Sequence, residues 1–194
     1  MLLIDDLGPR RFASEYLSRQ IELLNDLRMN TAMVQAFYEF LHGLRQQQGS
    51  LFVYGNGGSN AIASHIAVDY TKQGGLKTYS FNDVSTLSCY ANDFGWDQAV
   101  ARGITMSPCK PDAVMLISSS GSSINVVNAA KHCRANNIPL LSMTGFDDAN
   151  PLKGLSDLSY WVDSKAYNVI ENTHQVFALL ICDLLKGIDE YPAS

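Results

Sequence analysis

The sequence predicts an α/β fold built on a five-stranded parallel sheet with helices on both faces, entered through an N-terminal helical hairpin. Two observations carry the sheet. Five short apolar runs, LFVY (51–54), KTYSF (77–81), AVMLIS (113–118), IPLLSM (138–143) and LSYWVD (158–163), are each bounded by turn residues. Helix-length segments separate them, and strands that alternate with helices pair in parallel and are buried on both faces. A third observation carries the hairpin: within residues 9–48, Leu17, Ile21 and Leu24 recur at helical spacing, and Val34, Phe37, Leu41 and Leu44 do so again.

The 194 residues fit one domain, 1–194, with N-terminal helices over 9–48 and an α/β core over 50–187. A closing helix is expected from Lys165 to Lys186, apolar nearly all round from Val176 to Leu185, which predicts burial in the core or between subunits. Hydrophobic residues at 46% and charged residues at 17% describe a globular, core-rich chain. Every apolar run is broken well short of the roughly 18–20 residues a membrane span needs. The opening MLLIDDLGPRR has no apolar stretch like that of a secretory signal, so a cytoplasmic location is expected. A formal charge of -5 gives no electrostatic reason to expect nucleic acid. Cys89, Cys109, Cys133 and Cys182 are widely spaced and read as reduced, mostly buried thiols.

Two loops carry the chemistry. Directly after the first strand comes Tyr54-Gly55-Asn56-Gly57-Gly58-Ser59-Asn60, ahead of a helix-forming segment from Ala61 to Lys72. A glycine-rich turn lets backbone approach a ligand, and the following helix aims N–H groups and a positive dipole end at an anion. Ser59 is placed to cap that helix and to offer a hydroxyl. After the third strand, Ser118-Ser119-Ser120-Gly121-Ser122-Ser123 precedes a helix from Ile124 to Asn136. Five serines around one glycine supply hydroxyl and amide donors for a phosphate without any fixed positive charge. An ordinary strand-to-helix turn is the competing reading of the first loop, and a flexible serine-rich surface loop that of the second. Neither loop has the Gly-Lys-Ser/Thr element of a nucleotide P-loop, and GNGGSN lacks G-x-G-x-x-G spacing. In open α/β sheets ligands bind outside the carboxyl ends of strands, so the two loops are expected to share one anion.

His65 and Asp69 stand at i and i+4 on one face of the predicted helix. Such a pair can ligate a metal, can set a carboxylate base beside an orienting imidazole, or can be a simple surface hydrogen bond. Lys72, Lys77 and Lys110 do not cluster and read as solvated charges, while Tyr90, Trp96 and Trp161 read as packing.

The loop and helix GNGGSNAIASHIAVD (55–69), the segment ANDFG (91–95), SSSGSSINV (118–126), SMTGFDD (142–148) and IENTH (170–174) occur in an order that resembles the sugar isomerase (SIS) family. Within it they are most similar to the phosphoheptose isomerase branch, over residues 10–187. That resemblance implies a three-layer α/β sandwich, a homotetramer, and a phosphosugar bound at a subunit interface. It implies aldose–ketose isomerisation of the sedoheptulose 7-phosphate type. Asp69 would be the base, with His65 and a divalent ion such as zinc polarising the carbonyl; Glu171 would join them as metal ligand and catalytic group. Asn56, Gly57, Gly58, Ser59, Asn92, Asp93, Ser118, Ser119, Ser120, Ser123 and Glu171 would hold the substrate. The family has a glutamate at Asp69, a glutamine at Glu171, a second histidine at Leu179 and an arginine at Gln73; His174 is a weak substitute for the missing histidine, and packing or hydrogen bonding is its favoured reading. Two other functions stay open on the same resemblance: a non-catalytic tetramer that binds proteins, as the replication initiator-associating relatives do, or a phosphosugar sensor.

Overall fold

The computed structural model describes residues 4–107 and 110–190. Cys109 lies outside them. Helix α1 (Ile4–Met29) is interrupted at Gly8 (φ 70°, ψ 161°), just before Pro9. A single residue, Asn30, separates it from α2 (Thr31–Gln46) and caps α2 by accepting the Met33 amide at 3.4 Å. Both helices pack against the last helix. Five strands follow: β1 (Ser50–Gly55), β2 (Lys77–Ser80), β3 (Ala113–Ser118), β4 (Leu140–Thr144) and β5 (Leu158–Trp161). Between and after them run α3 (Gly58–Lys72), α4 (Val84–Phe94), α5 (Trp96–Thr105), α6 (Ile124–Ala135), α7 (Pro151–Leu155) and α8 (Tyr167–Lys186).

The five strands form one sheet in the order β2-β1-β3-β4-β5, and every pairing is parallel. Successive side chains along a strand point to opposite faces, which divides the core in two. Leu51, Val53, Met115, Ile117, Leu141 and Met143 face α2, α3 and α8. Phe52, Tyr54, Val114, Leu116 and Leu140 face α5, α6 and α7. The result is a three-layer sandwich. β3, apolar at five consecutive positions, is buried at every residue, as a central parallel strand requires.

The helices expected over 9–48 form, with α1 beginning five residues sooner. Phe37, Leu41 and Leu44 of α2 are buried. On α1 the buried position is Leu27, whereas Leu17 and Ile21 are each 57% exposed, so the apolar stripe is only partly covered by this chain. The closing helix is likewise covered only in part by its own chain. Phe177, Ala178, Ile181, Cys182 and Leu185 enter the core, but Val176, Leu180 and Leu184 stay open to solvent. Among the described residues no helix is long and apolar enough to cross a membrane. Cys89, Cys133 and Cys182 are free thiols, the last two buried.

Candidate functional site

Strand order reverses between β1 and β3: the chain goes from β1 outward to β2, then returns to β3 and proceeds to β4 on the other side. Outside the carboxyl ends of two such strands a crevice opens, and ligands of doubly wound sheets bind there. Both sequence motifs sit in it. After β1 the backbone turns through Gly57 (φ 53°, ψ −123°), a conformation suited to glycine, and α3 starts at Gly58. The helix therefore begins three residues before the expected Ala61, and Ser59 lies inside its first turn instead of capping it. After β3 the chain turns at Gly121 (φ 62°), whose amide donates to the Ser118 carbonyl at 3.0 Å, and α6 starts behind Ser123.

A cavity of about 80 Å³ is lined by Asn56, Ser59, Ser118, Ser119, Ser120, Ser123, Tyr167 and Glu171. It lies where α3, α6 and α8 begin. At none of these three N-termini does a capping side chain accept from the helix, whereas Asn30, Asp83 and Asn150 cap α2, α4 and α7 in that way. First-turn amides other than those of Asn60 and Val126, which already have acceptors, and three dipole ends are thus left for a ligand. Ser118 and Ser119 are buried, and the Ser119 hydroxyl has no partner. An unpartnered buried hydroxyl costs about 1–3 kcal/mol, which a bound oxyanion would recover. The cavity is well below the roughly 300 Å³ of a pocket that encloses a whole small ligand, so one chain by itself could surround only part of one. No lysine, arginine or histidine lines it; the one charged side chain there is Glu171.

Tyr167, missed in the sequence, stands on the first turn of α8 with its ring 4.9 Å from that of Phe146. Its signal is faint, because an aromatic residue at a helix start reads as packing until the neighbouring loop is known. Asn125, inside the serine motif but not singled out, is 1% exposed and contacts Asn56. Gly58 and the Glu171 carboxylate approach closely: a methyl group at Gly58 would push that carboxylate aside.

The other expected site residues do not gather here within one chain. His65 and Asp69 hydrogen-bond to each other, Nε2 to Oδ2 at 3.1 Å, with the imidazole exposed and the carboxylate half-buried. Glu171 abuts Gly58 at the start of α3, and seven or eleven residues of helix at about 1.5 Å each set the pair about 10 and 16 Å further along the axis. Among the described residues no group of three histidine, cysteine or acidic side chains is placed to hold a metal ion. The His65, Asp69 and Glu171 donor set therefore does not fit a metal centre in a single chain. Asn92 and Asp93 are also away from the cavity. Helix α4 continues through both, the turn comes at Gly95 (φ 82°), and the Asn92 amide donates to Asp93 at 3.0 Å in solvent. His174 is fully buried in α8, and its Nε2–H donates to the Thr144 carbonyl at 3.0 Å. Burial pushes its pKa down to about 4, so it is a neutral packing group and no surrogate acid.

A doubly wound α/β sandwich with a serine-lined cavity at its switch point, where three helices begin, is the class that fold and site define. The chain belongs to the SIS domain family, whose model matches residues 15–145. A phosphoheptose isomerase of Helicobacter pylori (strain ATCC 700392 / 26695) is 31% identical over 192 residues, 95% of this chain and 96% of that protein. One of Vibrio cholerae is 29% identical, over 81% of this chain and 85% of the other. In structure, the phosphoheptose isomerase of Neisseria gonorrhoeae superposes with a TM-score of 0.84 at 21% identity, covering 92% of this chain and 99% of that one. That of Francisella tularensis gives 0.81 at 22% identity, covering 96% and 100%.

Proposed function

We propose that the protein is a cytoplasmic aldose–ketose isomerase of sugar phosphates, of the phosphoheptose isomerase type. The observation that carries this reading is the cradle of three uncapped helix N-termini and two serine loops, which suits a phosphate monoester. The full-length relationship to phosphoheptose isomerases supplies the reaction class and makes sedoheptulose 7-phosphate the substrate to test.

The remaining machinery is assigned to a neighbouring subunit. His65 is exposed, the half-buried Asp69 bonds to it, and both are remote from their own cradle, while Val176, Leu180, Leu184 and Ile188 leave an apolar stripe on and just beyond α8. A homotetramer that covers this stripe and brings one copy's His65–Asp69 pair to another's cradle explains both. Asp69 would then take the proton from the carbon beside the carbonyl and return it to the former carbonyl carbon. The hydroxyl proton moves to the former carbonyl oxygen, with Glu171 as the relay at that end of the cavity. His65 orients the Asp69 carboxylate. A divalent ion such as zinc would need donors from two subunits, and no step here depends on one. Asn92 and Asp93, if they touch sugar hydroxyls, do so across the same interface.

The test is solvent exchange. Incubation with sedoheptulose 7-phosphate in deuterated water should place deuterium at the carbon next to the carbonyl, and Asp69→Asn should abolish this while inorganic phosphate still binds. Phosphosugar binding with no exchange in the wild type would favour a sensor or a protein-binding tetramer instead.

A further inference from the structure

We infer that Asn125 is a positioning residue: its amide locks to Asn56 and sets the two anion loops in one fixed geometry, in which Asn56 presents only a donor to the bound phosphate. This rests on the anion reading of the cavity. The contacts are reciprocal. Asn56 Nδ2 donates to Asn125 Oδ1 at 2.9 Å, and Asn125 Nδ2 donates to Asn56 Oδ1 at 2.9 Å. Two further bonds fix which way each amide points. The Val126 backbone N–H donates to Asn125 Oδ1 at 3.0 Å, and a backbone N–H has no acceptor capacity, so the oxygen of Asn125 has to lie on that side. Asn56 must then offer its nitrogen to that oxygen, and its own oxygen also receives the Tyr54 hydroxyl at 3.0 Å.

The consequence is a count of hydrogen-bonding capacity. Each amide oxygen accepts two bonds and is saturated: Asn125 by Asn56 and Val126, Asn56 by Asn125 and Tyr54. Each amide nitrogen has used one of its two hydrogens. What the pair has left is N–H alone, and Asn56 lines the cavity. A phosphate oxygen therefore meets a donor there and never an acceptor. The pair also spans loops that are 69 residues apart in sequence. Asn56 follows β1 and Asn125 belongs to the first turn of α6, so the bond between them sets the spacing of two helix N-termini that must reach the same anion. Tyr54 and Asn125 are each 1% exposed, so water competes little for these bonds.

The experiment titrates inorganic phosphate into the full-length protein by calorimetry, with thermal melts alongside. Asn125→Ala should weaken phosphate about tenfold, the effect of removing one hydrogen bond to a charged group. Asn56→Ala should do the same or more, and the double variant should be no weaker than the poorer single one, because both remove one device. Asn125→Asp should be worse than Asn125→Ala. Its second carboxylate oxygen would face Asn56 Oδ1, and Asn56 could relieve that only by turning its own oxygen toward the cavity. Tyr54→Phe keeps the ring and removes only the hydroxyl, and should weaken phosphate about threefold, a part of that same bond's effect. Unchanged affinity in Asn125→Ala and Tyr54→Phe overturns the positioning role while leaving the cradle intact, as does strict additivity of the two alanine losses. A wild type that does not bind phosphate overturns the cradle reading itself, and this inference with it.

Discussion

At the scale of single residues, the serines and glycines of the cradle are legible because their meaning is local. A serine behind a strand and ahead of a helix sits at an N-terminus whatever the rest of the chain does, and Ser59, Ser119 and Ser123 all reach the cavity. Asn125 and Tyr167 derive their roles from partners on other elements, Asn56 and Phe146, which residue type and spacing do not reveal. His174 was readable either as chemistry or as packing, and its complete burial decides for packing. That burial makes it a source of acid lability. Its pKa falls from 6.5 to about 4 on folding, so between these values the unfolded chain holds the extra proton. The stabilisation from the neutral ring is thus full above about pH 6.5 and drains away as pH drops toward 4, by up to about 3 kcal/mol. Urea denaturation of wild type and His174→Gln should show a stability gap that narrows between pH 7 and pH 4.5. An equal gap at both would mean that the imidazole is not held neutral.

At the scale of elements, the strands were legible nearly to the residue, because a strand covered on both faces has to be a short unbroken apolar run. Helix α8 was harder. Its apolar residues are arranged almost all round, and sequence periodicity does not say which of them meets the core and which meets another molecule. Twenty residues carry three duties: Tyr167 and Glu171 line the cavity, Phe177 and Ile181 fill the core, and Val176, Leu180, Leu184 and Ile188 beyond its end form the open stripe. Burying a whole leucine contributes about 1.5–3 kcal/mol, and Leu180 and Leu184, 36% and 39% exposed, have roughly a third of that to gain at an interface; a charge put in their place adds the cost of its burial, so two such changes should dissolve a contact built on the stripe. Leu180→Asp with Leu184→Asp should remain helical by circular dichroism and elute as a smaller species under light scattering. Turnover should fall with assembly while phosphate still binds. An unchanged assembly would place the subunit contact elsewhere.

At the scale of the whole molecule, the alternation of strands and helices made the sandwich legible, but not how many copies surround one site. The His65–Asp69 pair shows the limit: helical spacing puts the two side chains together, and nothing in the spacing says that their own cradle lies about two and three helical turns away. The cradle itself has a kinetic side. Its donors are hydroxyls and helix amides, the chain carries a formal charge of -5, and the acidic residue lining the cavity is Glu171. Dipoles of this sort hold an anion at contact but reach poorly into solvent, whereas net charge acts over a Debye length of about 10 Å at 0.1 M salt. An arriving sugar phosphate is therefore repelled before it is gripped. Capture should quicken, by about twofold, when inert salt is raised from about 10 to 150 mM and screens the repulsion. Stopped-flow traces showing the reverse, slower capture in salt, would reveal a steering cation near the mouth. Holding an anion and drawing it in are then separate properties, and the cradle's donors serve the first while the net charge works against the second.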